Sequence, residues 1–285
     1  MKTSFKGPLQ LLLIMALPAA VEAQFNYTTN NGAITITKYT GGGGAVTIPN
    51  LTNGLPITSI GTNAFDQSTS VTSVTIGTNV TSIGDWAFYG CTSLAGVAMP
   101  NSLISIGDDA FSDCARLTSV TIPDSVNSIG NYAFYACSGL TDVTIGTGVT
   151  SIGGHGFGAC LFLSGVYFAG NAPSADTTVF AGTPYTTVYY LPGNATWGTK
   201  FALRPTALWR PRVTASDGSF GVRTNQFGFN ITWASGKVVV VEGSPSVANP
   251  LWSPVGTNTL TGGSSYFSDP QSSGIARRFY RIRWP

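Results

Sequence analysis

Apolar residues recur through the middle of the chain with a period of 23, and polar residues fill the gaps between them. Ile60, Ile83, Ile106, Ile129 and Ile152 each precede a glycine, and five residues after each comes Phe65, Phe88, Phe111, Phe134 or Phe157. Val71, Leu94, Leu117, Leu140 and Leu163 open the next stretch. The columns Val74, Val97, Val120, Val143, Val166 and then Ile76, Met99, Ile122, Ile145, Phe168 follow. In LTSVTI (117–122) the Val and Ile stand two apart, which puts both on one face of a strand. A Gly or Pro at 77, 100, 123 and 146 turns the chain out of that strand. The Ile-Gly and Ala-Phe pairs predict the return path, through a short helical or 3₁₀ turn. One such coil buries its apolar side chains only against the coils above and below. The recurrence therefore predicts a stacked solenoid and is a folding requirement before it is anything else.

The pattern frays at both ends, as caps do. AVTIP (45–49) matches SVTIP (119–123), Phe180 stands 23 after Phe157, and Val188-Tyr189-Tyr190 echoes Val166-Tyr167-Phe168, giving seven predicted strands. FNYTTNNGAITITKY (25–39) alternates about Asn31-Gly32, a strong hairpin signal, so 24–44 is expected to cap the first coil.

The columns Cys-x-x-Leu-x-x-Val-x-Ile-Pro-x-x-Val-x-x-Ile-Gly-x-x-Ala-Phe resemble the BspA-like (Treponema-type, 23-residue) bacterial leucine-rich repeat. The resemblance covers 45–203, with five regular copies at 57–172. It implies a curved solenoid with a parallel sheet on one face, in a class of secreted or surface proteins of which several bind host or matrix proteins. Better-known leucine-rich repeats keep an Asn after the strand, where Asn79, Ser102, Ser125 and Gly148 stand here. Backbone satisfaction in that turn must differ.

Beyond Pro205 and Pro211 the grammar changes. Residues 204–215 read as a linker and 216–285 as a small antiparallel β-sandwich-like module, with FGFNITW, KVVVVEG and ARRFYRIRW as strands. The fold class is mainly β. In the last strand Arg277, Arg281 and Arg283 share one face and Tyr280, Ile282 and Trp284 the other, so a basic face could dock on an acidic polymer or simply be solvated.

Charged residues make up only 9% of the chain, and the small net charge hides an asymmetry of −5 over 24–203 and +6 over 204–285. Lys2 and Lys6 followed by LQLLLIMAL (9–17) and Val21-Glu22-Ala23 read as an export signal peptide spanning 1–23. No later segment is apolar enough for a membrane helix. The expected location is secreted or at the cell surface.

Candidate chemistry is sparse. Cys91, Cys114, Cys137 and Cys160 form one column, read as a buried Cys column of free thiols, with one or two disulfides as the alternative. No Cys-x-x-Cys exists and His155 is the one histidine, so no metal, cofactor or catalytic residue is expected. Asp85, Asp108, Asp109 and Asp113 cluster on neighbouring coils, as a solvated turn face or a weak Ca²⁺ site. Thr72, Ala95, Thr118, Thr141 and Thr75, Ala98, Thr121, Thr144 make the outward strand face smooth. Trp86, Tyr89, Tyr132 and Tyr135 occupy positions the core does not need and are the expected binding residues.

The reading is thus an exported, non-enzymatic repeat protein that binds an extracellular or surface protein in adhesin-like fashion. The alternative is a carbohydrate-binding or envelope-attachment protein acting through the C-terminal module. Nucleic acid is not an expected partner.

Overall fold

The computed structural model describes residues 24–284 except Ala195, Asn225, Asn249 and 274–277. The signal-peptide segment and Arg277 lie outside the described residues.

Residues 25–208 wind into a solenoid with two strand walls and a third wall of turns. The first wall stacks in parallel the strands Gly44–Thr47, Val71–Thr75 and Gly96–Ala98, then Ser119–Ile122, Asp142–Ile145, Gly165–Phe168, Thr187–Tyr190 and Arg204–Leu208. It is interrupted between Gly96–Ala98 and Ser119–Ile122, where Met99 replaces the column's isoleucine. Register is in phase, with Val120↔Val143↔Val166↔Val188, so each column meets itself. The second wall is made of two-residue Ser-Ile strands from Ser82–Ile83 to Ser151–Ile152. The sequence predicted one parallel sheet; the coil closes with two.

All seven predicted strands form. An eighth, Arg204–Leu208, lies where the sequence suggested a linker, pairing Val188↔Thr206 and Tyr190↔Leu208 in parallel. Pro205 is tolerated there because its partner on the far side is only the two-residue strand Lys200–Phe201 at the sheet edge.

The third wall corrects a second expectation. No helix forms among the described residues. Instead two columns adopt left-handed backbone: Asn63, Trp86, Asp109, Tyr132, His155 and Gln67, Gly90, Asp113, Ala136, Ala159. Amides then alternate in direction. Those of Asn63, Phe65 and Gln67 donate to Asp85, Ala87 and Tyr89 on the next coil, while Ala64, Asp66 and Ser68 donate three residues back. A helical turn would point every amide along its own path and leave this wall unbonded to its neighbours.

Inside, Phe65, Phe88, Phe111, Phe134, Phe157 and Phe180 stack with centroids 4.6–5.9 Å apart. The hairpin Phe25–Asn30 with Ala33–Tyr39 turns at Asn31 and Gly32, both at positive φ, and lays Tyr39 on Phe65 at 4.9 Å. Its second strand also opens the second wall by pairing with Leu55–Ile60. The glycine after each isoleucine is needed for close approach: a Cβ at Gly130 would sit 2.6 Å from the Asp108 amide nitrogen. At the turn after the strand, Ser102 and Ser125 hydroxyls donate to Val80 and Leu103 carbonyls one coil back. These do part of the work an asparagine does elsewhere.

The C-terminal module packs Arg212–Thr214, Gly221–Arg223, Gln226–Thr232 and Ser264–Asp269 against Val238–Ser244, Ser253–Thr259 and Phe279–Arg283, all antiparallel, so it begins within the stretch 204–215 that reads as a linker. Phe229, Ile231, Trp233, Val239, Val241, Leu260 and Phe267 form its core. Leu191 and Trp209, from the solenoid side, pack into that core, and Trp233 Nε1 donates to the Trp209 carbonyl at 2.8 Å. The module is docked on the solenoid.

Candidate functional site

The turn wall displays the aromatic side chains. Trp86 and Tyr132 are 42% and 40% exposed, with φ of 53° and 55°. Tyr89 and Tyr135, three residues on, are half-buried. The four do not form one patch, because the intervening coil puts Asp109 and Ser112 in the same columns. Trp86 is therefore two coils from Tyr132, about 10 Å along the axis. His155 joins the second pair, stacking on Tyr132 at 4.9 Å and meeting Tyr135 at 6.3 Å. The sequence gives His155 no metal or catalytic role and does not group it with these aromatics. The missed signal was its column, 23 residues after Tyr132.

Two of the four clustered aspartates, Asp85 and Asp108, bond the backbone of the next coil. Asp85 Oδ1 accepts the Asp108 amide at 2.9 Å, Asp108 Oδ1 the Asn131 amide at 2.6 Å, and Asn131 Oδ1 the Gly154 amide at 2.9 Å. Each caps the coil below it. Asp109 is held above the usual carboxylate range, first by partial burial and then by the charge of Asp108. No grouping of metal-ligating side chains occurs among the described residues.

All four cysteines are buried and free. Each Sγ donates to the carbonyl of the phenylalanine 26 residues earlier, at 3.1–3.3 Å. Burial pushes the Cys91 thiol up to about 12 and raises Cys137 and Cys160 as well. A thiol so far above ambient pH supplies almost no thiolate, the reactive form. Because the fold also buries all four from solvent, a thiol reagent should label none of them under native conditions at pH 8, and all four only after denaturation. Native labelling, or fewer than four thiols in the unfolded chain, would contradict this packing.

On the predicted basic face two arginines share one carboxylate, and each arginine side chain stays about half exposed. Arg281 and Arg283 share Glu242, at 2.7 and 2.9 Å, and Arg281 lies over Trp252 at 4.7 Å. These two bonds hold the Glu242 carboxyl below its ordinary range. On the other face Tyr280 stacks on Phe227, and its hydroxyl donates to the fully buried Asp269, which also binds Arg278 at 2.9 Å.

A family model described as the BspA type leucine rich repeat region matches residues 58–187 in six copies. Among solved structures, the T. pallidum leucine rich repeat protein is 33% identical, with a TM-score of 0.55 over 58% of this chain and 78% of that one. A leucine-rich repeat protein from Bacteroides ovatus is 29% identical, with a TM-score of 0.50 over 58% of this chain and 45% of that one. The pneumococcal vaccine antigen PcpA shares the fold at 16% identity and a TM-score of 0.54, over 66% and 48% of the two chains. No curated protein matches the chain.

Proposed function

Because this chain belongs to the BspA-type leucine-rich repeat family, we propose that it is an exported, non-enzymatic protein that binds another protein at or outside the cell surface through its aromatic turn wall. The leader-like residues 1–23 support export. The absence of an enzymatic role rests on the disposition of the polar groups. His155 is stacked on Tyr132, and the Asp85 and Asp108 carboxylates are occupied by backbone amides.

One observation carries the choice of surface. Trp86 and Tyr132 stand at left-handed backbone positions, which bulky side chains avoid and Asn or Gly accept readily. Other copies place Asn63 and Asp109 there. Holding a large ring in that conformation costs on the order of 1 kcal/mol, so the fold is weakened to display it. Exposed, rigid aromatic rings are what protein-binding hot spots are made of.

The test uses that trade-off. Trp86→Asn combined with Tyr132→Asn should leave the melting temperature unchanged or raise it. The same variant should weaken attachment to a panel of immobilised matrix proteins by about thirtyfold, the loss of a central anchor worth about 2 kcal/mol. A Thr72→Ala, Thr118→Ala variant on the strand face should bind normally. If the threonine variant loses attachment and the asparagine one keeps it, the strand face is the binding surface.

A further inference from the structure

Residues 204–285 hold nine cations, and the fold neutralises or ties down most of them. Arg278 meets Asp269, and Arg281 and Arg283 share Glu242. Arg204 and Arg223 donate to the carbonyls of Phe180 and Gly218. Arg277 lies outside the described residues. The other three, Arg210, Arg212 and Lys237, are exposed and meet no carboxylate among the described residues. All three line the same groove.

The groove runs where the module faces the outward side of the first strand wall. It consists of two adjoining clefts of about 190 and 470 Å³ that share Thr144 and Trp209. Arg210 lies 5.9 Å from the Trp284 ring centroid and Arg212 lies 5.9 Å from that of Tyr189. Ring contact restrains a guanidinium while leaving its N–H edge available for a ligand. The aromatic lining is Trp209 and Tyr167, 5.2 Å apart with their planes tilted by 50°, and Tyr167 in turn stacks on Tyr189 at 4.8 Å. Thr121, Thr147 and Ser235 add hydroxyl-bearing residues to a lining that also includes Ile122, Pro123 and Leu191. Of the nearby carboxylates, Asp124 in the lining already accepts the Thr147 amide at 2.7 Å, and Asp142 is engaged with the lining Tyr167.

We propose that this groove binds an anionic polysaccharide, a sugar chain carrying carboxylate or sulfate groups. Cations spaced along an open groove match charges that repeat along a polymer, and guanidinium groups bind either anion through paired N–H bonds. Flat rings stack on sugar faces, and small hydroxyls exchange hydrogen bonds with sugar hydroxyls. An acidic peptide would gain less here, since it anchors through side-chain pockets or through an open strand edge. The site is separate from the aromatic turn wall.

The probes are polygalacturonate for carboxylate, heparin for sulfate, dextran as the neutral chain and polyglutamate as the acidic peptide, each titrated against the mature chain. At least one anionic polysaccharide should bind, more weakly as salt rises, and dextran should not. Arg212→Gln with Lys237→Gln should lower that affinity by at least about tenfold, the loss of two charge-assisted contacts. Lys38→Gln with Lys200→Gln removes the same net charge from exposed sites outside the groove and should change affinity less than about twofold. Binding by neither polysaccharide, equal losses in the two double variants, or tighter binding of polyglutamate than of both polysaccharides would each overturn the proposal.

Discussion

Replacing Phe111 with alanine should destabilise the protein by about 3–5 kcal/mol, read as a lower denaturation midpoint at an unchanged slope. The ring is fully buried between Phe88 at 5.0 Å and Phe134 at 5.1 Å, nearly parallel to both. Its removal opens a cavity in the middle of a stack whose neighbours are fixed by backbone hydrogen bonds to the coils on either side, so the gap cannot close. Asp109→Asn, two residues away, is the contrast. It keeps a side chain suited to the left-handed backbone and removes a carboxylate crowded by Asp108, Asp113 and Asp85, so stability should move by less than about 0.5 kcal/mol. Similar losses for the two would mean the inside and outside of the coil are misplaced.

Removing residues 25–44 should do more than destabilise: the chain should aggregate. That hairpin covers the first coil with Ile34 and Ile36, stacks Tyr39 on Phe65 with Phe25 edge-on to the same ring, and pairs its second strand with Leu55–Ile60. Without it a parallel ladder ends in an open edge beside an exposed aromatic face, which templates association with other chains. Deleting 105–127 removes more apolar residues, nine against six, yet brings Ile104 to Ser128, in phase with the stack, and leaves both caps in place. That shorter chain should stay soluble and melt cooperatively. Light scattering and thermal melts separate the cases, and a soluble, cooperative chain lacking 25–44 would remove the hairpin from its role as a cap.

Trp86 and Tyr132 differ from the arginines of the last strand in what sequence could say about them. Their place in a free column was legible, because a column with no fixed residue type cannot be core. Their left-handed backbone was not, since an aromatic residue carries no local signal for it. It follows from the need of each turn to bond the next coil. Arg281 and Arg283 were correctly placed on one face of their strand by alternation alone. That the face is shared with Glu242 depends on the register with Val238–Ser244, across about forty residues of chain.

The sequence by itself determined the repeat, its core columns, the N-terminal hairpin and three of the seven strands that the described residues of the C-terminal module form. In a solenoid every core position meets its own equivalent one coil away, so a contact in space is also a period along the chain. The tertiary structure alone decided what breaks that equivalence. It set the second strand wall and the left-handed turns, which answer to hydrogen bonding between coils. It turned 204–208 from a linker into a strand and packed Leu191 and Trp209 into the module's core. The groove that gathers Arg210, Arg212 and Lys237 arises from that docking, a meeting of surfaces distant in sequence that no period records.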